Sequence, residues 1–409
     1  MNSIEIKGSK SESNRALILN EEFRIKSDER NSTKFHDSCV ELINLSDSDD
    51  TRIIDKALEL KSGVIDCKHS GAAIRFLAAH FASIKGTDVI LTGSDRLKER
   101  PIKELIEALQ SLGADIKYLE KEGFAPIQIK GKELRCDDFI ALQANISSQF
   151  ISALLLIANR IKSGLKLRLM QEVISESYID MTLKMLNDFG IEYQKNKNEI
   201  IIEECFDAKP KVREYVIESD WSSASYWYSF VSLGLEEINL KYYHKNSIQG
   251  DSVIVDIMKN LNVITHFESD GSITLTRTAE FVPSDEILDF IKCPDLAQTL
   301  ICLYAFHKKN LKFKGVESLK LKESDRILAL QTELKKINAS IFKHANYYEL
   351  ISSDVQIPES LHIETHHDHR MAMSFAPLML KTKVSFDNET VVSKSYPNFF
   401  VHCNEILDI

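Results

Sequence analysis

The chain has 409 residues, 44% hydrophobic and 27% charged, the balance of an ordinary globular protein with room for more than one domain. Its 61 acidic and 51 basic residues leave a net charge of −10, which disfavours nonspecific nucleic-acid binding and requires a locally basic pocket for any anionic ligand. The seven cysteines (Cys39, Cys67, Cys136, Cys205, Cys293, Cys302 and Cys403) are odd in number and form no C-x-x-C pair, so neither a disulfide framework nor a zinc site is expected. They read as reduced thiols of a cytoplasmic protein. No N-terminal apolar segment suits a secretion signal and no stretch is long and apolar enough to span a bilayer, so neither secretion nor membrane insertion is expected.

The first chemically dense stretch is Gly8-Ser9-Lys10-Ser11-Glu12-Ser13-Asn14-Arg15, just before the apolar run Ala16-Leu17-Ile18-Leu19. If that run opens a helix, hydroxyls, two cations and free backbone N–H groups crowd its first turn, an arrangement that favours an anion. An exposed polar turn is the competing reading. A Walker-type phosphate loop is excluded, because the second glycine that motif needs upstream is missing.

The most informative organisational feature is a repeat. Amphipathic helices stop at Gly113, Gly190, Asn262 and Asn338, spaced 77, 72 and 76 residues apart, and each stop leads into a strand–turn–strand. Gly and Asn suit the left-handed position after a helix, so the pattern predicts that backbone at all four. A second series of strongly apolar helices starts near Gly71, Ser148, Ser222, Asp295 and Asp368, at separations of 77, 74, 73 and 73. Helices this apolar belong in a core, with polar N-terminal ends able to grip a ligand. A capped amphipathic helix from Asp49 to Leu58 marks a sixth unit. The period exceeds that of common solenoids, so the pattern predicts an α/β protein of α+β type in two domains, each of three strand–helix–strand–helix–strand–strand units.

Further groups fall at the helix starts and nearby turns. His69-Ser70-Gly71-Ala72-Ala73-Ile74-Arg75 is followed by Leu91-Thr92-Gly93 through Arg100-Pro101, where Pro101 predicts a first helical position with Arg100 at the cap. Arg100 reads equally as a solvated charge. In Asn145-Ile146-Ser147-Ser148-Gln149 the hydroxyls and amide either bind a phosphate or sugar-like hydroxyl or simply cap a helix. Ser175 and Tyr178 are expected to precede the helix containing Asp180 and Met181. Asp295, at the head of the apolar helix from Leu296 to Phe306, is either a cap or a base. Lys322-Glu323-Ser324-Asp325-Arg326 is either a salt-bridged first turn or part of a site. In His366-His367-Asp368-His369-Arg370 no metal is expected, because zinc-helix spacing is missing and Arg370 suits an anion better. Lys394 stands in Ser393-Lys394-Ser395-Tyr396-Pro397.

Taken together, these motifs resemble the 5-enolpyruvylshikimate-3-phosphate synthase family over nearly the whole chain. The resemblance rests on Gly8–Arg15, Leu91–Pro101, Ser147-Ser148-Gln149-Phe150, Tyr178-Ile179-Asp180-Met181-Thr182-Leu183, Ser222–Tyr226, Gln249-Gly250-Asp251, Pro294-Asp295, Lys322–Arg326 and Asp368-His369-Arg370-Met371-Ala372-Met373. It implies a two-domain inside-out α/β barrel with the active site in the interdomain cleft. The domains expected are residues 1–9 with 219–409, and an inserted domain of residues 10–218.

The activity implied is transfer of the enolpyruvyl group of phosphoenolpyruvate to the 5-hydroxyl of shikimate 3-phosphate, through a tetrahedral intermediate, with release of phosphate. It belongs to chorismate and aromatic amino-acid biosynthesis and needs no cofactor or metal. By resemblance, Lys10, Gly71, Arg100, Gln149, Arg326, Arg370 and Lys394 bind phosphoenolpyruvate. Lys10, Ser11, Arg15, Ser147, Ser148, Gln149, Ser175, Tyr178, Asp295 and Lys322 bind shikimate 3-phosphate, with His369 and Ser318 in support. Asp295 is the implied base, Glu323 the implied acid, and Lys10 shares in proton transfer. A monomer is expected, without nucleic-acid or membrane partners.

Some positions depart from the family pattern. His69–Phe76 lacks its usual Asn, Thr and Pro, Ser318 replaces a common Asn, and the first unit reads as short and irregular around Glu21 to Lys34. Two alternatives share the fold: the sister transferase acting on UDP-N-acetylglucosamine, whose acid is a loop cysteine with no counterpart here, and a non-catalytic binding paralogue.

Overall fold

The computed structural model describes residues 2–29, 40–143, 147–171, 175–205, 208–278, 280–283 and 286–407. Cys39, Asn145 and Ile146 lie outside them. The chain forms two compact units: Lys10–Leu45 with Asp49–Ile217, and Met1–Ser9 with Ser46–Ser48 and Glu218–Ile409. No helix among the described residues is long and apolar enough to cross a membrane.

The helices, in chain order, are α1 (Lys10–Glu29), α2 (Asp49–Leu58), α3 (Gly71–Ser83), α4 (Asp95–Lys98), α5 (Lys103–Ser111), α6 (Ser148–Leu156), α7 (Glu176–Asp188), α8 (Trp221–Leu233), α9 (Ile254–Lys259), α10 (Ala297–Phe306), α11 (Arg326–Lys335), α12 (His369–Phe375) and α13 (Phe399–Leu407). In the unit that begins at Lys10, α1, α3 and α6 pack against one another at the centre. Every residue of α6 from Phe150 to Leu156 is buried, as is Phe76–Ser83 of α3. Both helices are apolar on all sides because they are covered on all sides.

Sheets cover that centre. One orders Ser62–Asp66, Asp88–Thr92, Ile127–Lys130 and Asp115–Tyr118; a second orders Ile140–Gln143, Leu165–Met170, Glu199–Ile202 and Gln194–Lys195. In each the first two strands are parallel and the others antiparallel, the product of a helical crossover followed by a hairpin. Among the described residues the third unit is shorter, with Glu41–Ile43 pairing in parallel with Glu214–Val216.

The other unit repeats this plan. The strands Ser3–Ile4, Glu237–Leu240, Ile273–Arg277 and Val263–Phe267 form one sheet, and Leu288–Asp289, Leu311–Lys314, Tyr348–Ile351 and Ser340–Lys343 a second. Ser360–Ile363 pairs in parallel with Lys383–Phe386. Its central helix α10 is buried at all ten positions and packs against α8 and α12.

Local signals set most boundaries. Ser70, Ser147, Asp220, Asp325 and Asp368 cap α3, α6, α8, α11 and α12, their side chains accepting first-turn N–H bonds. The stops Gly113, Gly190 and Asn338 adopt φ of 98°, 80° and 63°. The next residue's N–H then reaches back to Leu109, Leu186 and Leu334 at 3.0, 2.8 and 3.1 Å, closing each helix end. At Gly190 a Cβ would lie 1.9 Å from the Lys209 carbonyl oxygen, so glycine is required twice over.

Three expectations need correction. Asn262 is not left-handed; its side chain is buried, accepting from Ser232 Oγ at 2.6 Å and donating to the Ser232 carbonyl at 3.1 Å. Pro101 does not open a helix, because α5 begins at Lys103 with Ile102 at the cap, and the Arg100 N–H instead bonds Leu97 O at 3.0 Å. Around Glu21 the chain is helical rather than irregular, since α1 runs on to Glu29; Arg30–Lys34 lie outside the described residues.

The first unit's core also holds a trio of ionisable side chains. Glu22 of α1 is fully buried, meeting His80 Nδ1 of α3 at 2.6 Å and Arg160 Nε, just beyond α6, at 3.2 Å. Removing its carboxylate strands a buried guanidinium. Glu22→Leu is therefore expected to lower stability by about 3 kcal/mol, read as a fall in the urea midpoint. An unchanged midpoint would show that the trio contributes nothing.

Candidate active site

The N-terminal ends of α8, α10, α11 and α12 carry one group of side chains, all within the unit that contains Glu218–Ile409. At its centre Arg326, 2% exposed, donates Nε to Asp368 Oδ2 at 2.7 Å, one terminal nitrogen to Asp295 Oδ1 at 3.0 Å and the other to Glu323 Oε2 at 3.0 Å. Burial alone would lower the Arg326 pKa, but Asp368, Glu323 and Asp295 outweigh it, and the pKa is raised. Lys394 pairs with the other Glu323 oxygen. Asp368 does double duty, since its Oδ1 also accepts the Arg370 N–H at 3.0 Å.

Arg370 holds Asp295 from the other side. Its guanidinium lies 3.2 Å from Asp295 Oδ2 and donates to the Asp295 main-chain oxygen at 3.1 Å, to Tyr226 Oη at 3.2 Å and to Ser222 Oγ at 3.3 Å. Ser222 in turn donates to Asp251, a carboxyl only 5% exposed. Burial, helped by the charge of Asp295, pushes the Asp251 pKa up to about 7. Burial likewise raises Tyr226 to about 12, so its hydroxyl stays protonated beside Arg370.

The other unit carries a second group at the heads of α1, α3 and α6. Gly71 opens α3, and a Cβ there would sit 2.5 Å from a terminal nitrogen of both Arg75 and Arg100. Glycine is what allows two guanidiniums to lie against this backbone. Arg75 donates to Gln149 Oε1 at 2.8 Å, to Gly71 O at 3.0 Å and to Pro101 O at 3.2 Å, with its guanidinium 5.2 Å from the Phe150 ring. Ser147 is the α6 cap, accepting the Gln149 N–H at 3.3 Å, and Ser148 is buried in the first turn. In the turn His69–Phe76, His69 Nδ1 meets Ser94 Oγ at 2.8 Å.

Lys10 begins α1, its Nζ 3.5 Å from Asp50, with Ser11 in the same turn. Arg15 is 3% exposed and bonds Thr182 Oγ1 at 2.7 Å, Ser11 O at 2.7 Å and Ser152 Oγ at 3.0 Å, so it clamps α1 to α6 and α7. Burial lowers its pKa to about 10. Ser175 precedes α7 with φ of 57°, its carbonyl accepting the Tyr178 N–H at 3.1 Å, and Tyr178 lies inside that helix rather than before it, its ring 5.7 Å from the Arg15 guanidinium.

Of the remaining expected residues, Lys322 follows the 3-10 turn Glu317–Leu321 in extended backbone. The Ser318 hydroxyl in that turn has no hydrogen-bond partner among the described residues. His369 is buried in α12, with Nδ1 3.6 Å from Asp368. As for metals, Glu333, Glu364 and His366 bring ligand atoms within 4.8 Å of one another. Glu333 is already engaged by Lys336 Nζ at 2.7 Å, the Glu364 N–H at 3.0 Å and His366 at 3.0 Å, and the ammonium opposes a cation there.

Arg75, Ser222, Tyr226, Asp251 and Asp368 belong to these two groups but were not among the expected site residues, although each stands in or beside a motif. Arg75 could have been found by its helical offset of four from Gly71, which puts both on one face. Asp251 had no such signal. Its hydrogen bond to the group comes from Ser222, on another element.

The Asp251 carboxyl keeps its proton to about pH 7 in the fold, against roughly pH 4 in an unfolded chain. A raised folded-state pKa gives stability that is complete at low pH and lost as pH rises through the folded value. Asp251→Asn lacks that loss, so its melting temperature relative to the parent should rise between about pH 4 and about pH 7 and level off above that. A difference that stays flat in calorimetry would contradict the shift.

Against known proteins, residues 2–402 match the family described as EPSP synthase (3-phosphoshikimate 1-carboxyvinyltransferase). A 3-phosphoshikimate 1-carboxyvinyltransferase of Bacteroides fragilis strain YCH46 is 40% identical over 404 residues, covering 97% of this chain and 93% of the relative. One from Photobacterium damsela subsp. piscicida is 31% identical over 430 residues, covering 98% and 96%. The fold is similar to that of EPSP synthase from Acinetobacter baumannii, with TM-score 0.74 at 20% identity over 99% of this chain and 95% of that one. It is also similar to the enolpyruvyl transferase NikO from Streptomyces tendae, with TM-score 0.69 at 11% identity over 99% and 94%. By sequence along nearly its whole length, and with a fold to match, the chain belongs to the EPSP synthase family.

Proposed function

We propose that the protein transfers the enolpyruvyl group of phosphoenolpyruvate to the 5-hydroxyl of shikimate 3-phosphate and releases phosphate. The observation that carries the reading is the Arg326 group: two carboxylates, Asp295 and Glu323, held on one buried guanidinium and flanked by Arg370 and Lys394. Addition followed by elimination needs a base for the hydroxyl, an acid for the methylene carbon and cations for the phosphate and carboxylate. Asp295 is the base and Glu323 the acid. Lys10 shares in proton transfer.

Arg326, Arg370 and Lys394, with Lys10, Gly71, Arg100 and Gln149, bind phosphoenolpyruvate. Arg75 orients Gln149 for that task. Ser11, Ser147, Ser148, Gln149, Ser175, Tyr178 and Lys322 bind shikimate 3-phosphate, with Arg15 and Ser318 behind them. Incoming anionic oxygens compete with the carboxylates for the same N–H groups, so substrate binding loosens Asp295 and Glu323 as it forms the cationic contacts. Low dielectric strengthens each of those pairs.

The cysteine chemistry favours this substrate over a nucleotide sugar. Cys67, Cys293, Cys302 and Cys403 are buried, and burial raises the pKa of all four, that of Cys293 to about 12, so these thiols are poor acids. One chain carries every residue named, so a monomer suffices, and its place is the cytoplasm.

Phosphate release should require both phosphoenolpyruvate and shikimate 3-phosphate, with no release when UDP-N-acetylglucosamine replaces the latter. Asp295→Ala should still bind both substrates by calorimetry while turnover falls roughly 10²–10⁴-fold. Folded protein that releases no phosphate from the pair would overturn the proposal; near-normal turnover in Asp295→Ala would remove that residue from its role.

A further inference from the structure

Lys394 closes the 3-10 turn Glu389–Lys394, and the residue that anchors the turn's exit is Tyr396. Its N–H donates to Val392 O at 2.8 Å, the Ser395 N–H bonds the same oxygen at 3.0 Å, and the Tyr396 carbonyl accepts from Phe399 at 3.1 Å. The ring is 4% exposed and edges Phe399. Its hydroxyl lies 3.3 Å from Trp227 Nε1 of α8 and 2.7 Å from His402 Nδ1 of α13.

An indole N–H can only donate, so the tyrosine oxygen accepts from Trp227. The single phenolic hydrogen then goes to His402, which requires Nδ1 to carry its lone pair. Burial lowers the His402 pKa against the opposing pull of Glu405 and Asp47, and burial raises that of Tyr396, so both partners hold the states this direction needs.

We infer that Trp227, Tyr396 and His402 form a one-way hydrogen-bond relay that positions Lys394 on Glu323, and so sets the affinity for the anion that Lys394 binds. The inference rests on the reading of Lys394 as a phosphoenolpyruvate-binding cation. Trp227 is the chain neighbour of Tyr226, which touches Arg370, so one turn of α8 fixes two cations of the group. Protonating His402 would place a second donor against the tyrosine oxygen and leave the phenolic hydrogen without its acceptor. The relay therefore works only above the His402 pKa.

Tyr396→Phe deletes the central hydroxyl. It should raise KM for phosphoenolpyruvate roughly three- to tenfold, the scale of one hydrogen bond, while KM for shikimate 3-phosphate changes less than about twofold. In a Lys394→Met background the same change should add nothing, because the residue it positions is gone. His402→Gln keeps an acceptor for the hydroxyl and His402→Phe does not, so the former should raise KM for phosphoenolpyruvate less. An additive effect of Tyr396→Phe on the Lys394→Met background, or equal effects of the two His402 variants, would overturn the relay. If Lys394→Met itself leaves KM for phosphoenolpyruvate unchanged, the reading of Lys394 fails and the inference with it. Should Tyr396→Phe fail to fold, the two His402 variants decide alone.

Discussion

The constraint on which the site depends is the buried charge of Arg326. A guanidinium at 2% exposure has given up its water, a loss of several kcal/mol that only paired charge can offset. Three carboxylates from three stretches of the chain meet it at 2.7 to 3.0 Å. Each of those contacts fixes the position of an acidic group more tightly than its own backbone could. Asp295 and Glu323 are therefore pre-oriented, and Asp368 ties the same charge to the head of α12 and hence to Arg370.

Fixing those elements is the task of the apolar helices. α10 is buried at every position, and its packing against α8 and α12 leaves their starts as the places where polar side chains meet. Ser222, Asp295 and Arg370 come from those starts, and hydrogen bonds join all three. The other unit repeats the logic with different chemistry. There Gly71 and Arg75 of α3 lie against Arg100, and Arg75 donates to Gln149 of α6.

Where information is local the sequence was legible. Caps such as Ser70 and Asp368 and stops such as Gly113, Gly190 and Asn338 announce themselves within a few residues, because the hydrogen bonds involved span one helical turn. Asn262 carried the same local signal yet lost to tertiary context: its side chain finds better partners on Ser232 than a left-handed backbone would give it. Pro101 misled for a related reason, since its carbonyl is used by Arg75 and the helix starts two residues later. Asp251 and Tyr396 stand in motifs, but their partners were illegible. What matters about each is burial and a partner on a remote element, Ser222 for one and Trp227 for the other, and neither periodicity nor spacing encodes such a pairing.

On the proposed reading, Glu323 and Asp295 work as acid and base on one substrate pair through addition and elimination. Addition protonates the methylene carbon of phosphoenolpyruvate to a methyl group, and elimination removes a hydrogen from that methyl group to restore the double bond. Running the reaction to partial conversion in deuterium oxide and taking a mass spectrum of the enolpyruvyl product tests this directly. Deuterium is expected on the product's methylene carbon, with the incorporation lost together with turnover in Glu323→Gln. Product that forms at the normal rate with no deuterium in its methylene would contradict it.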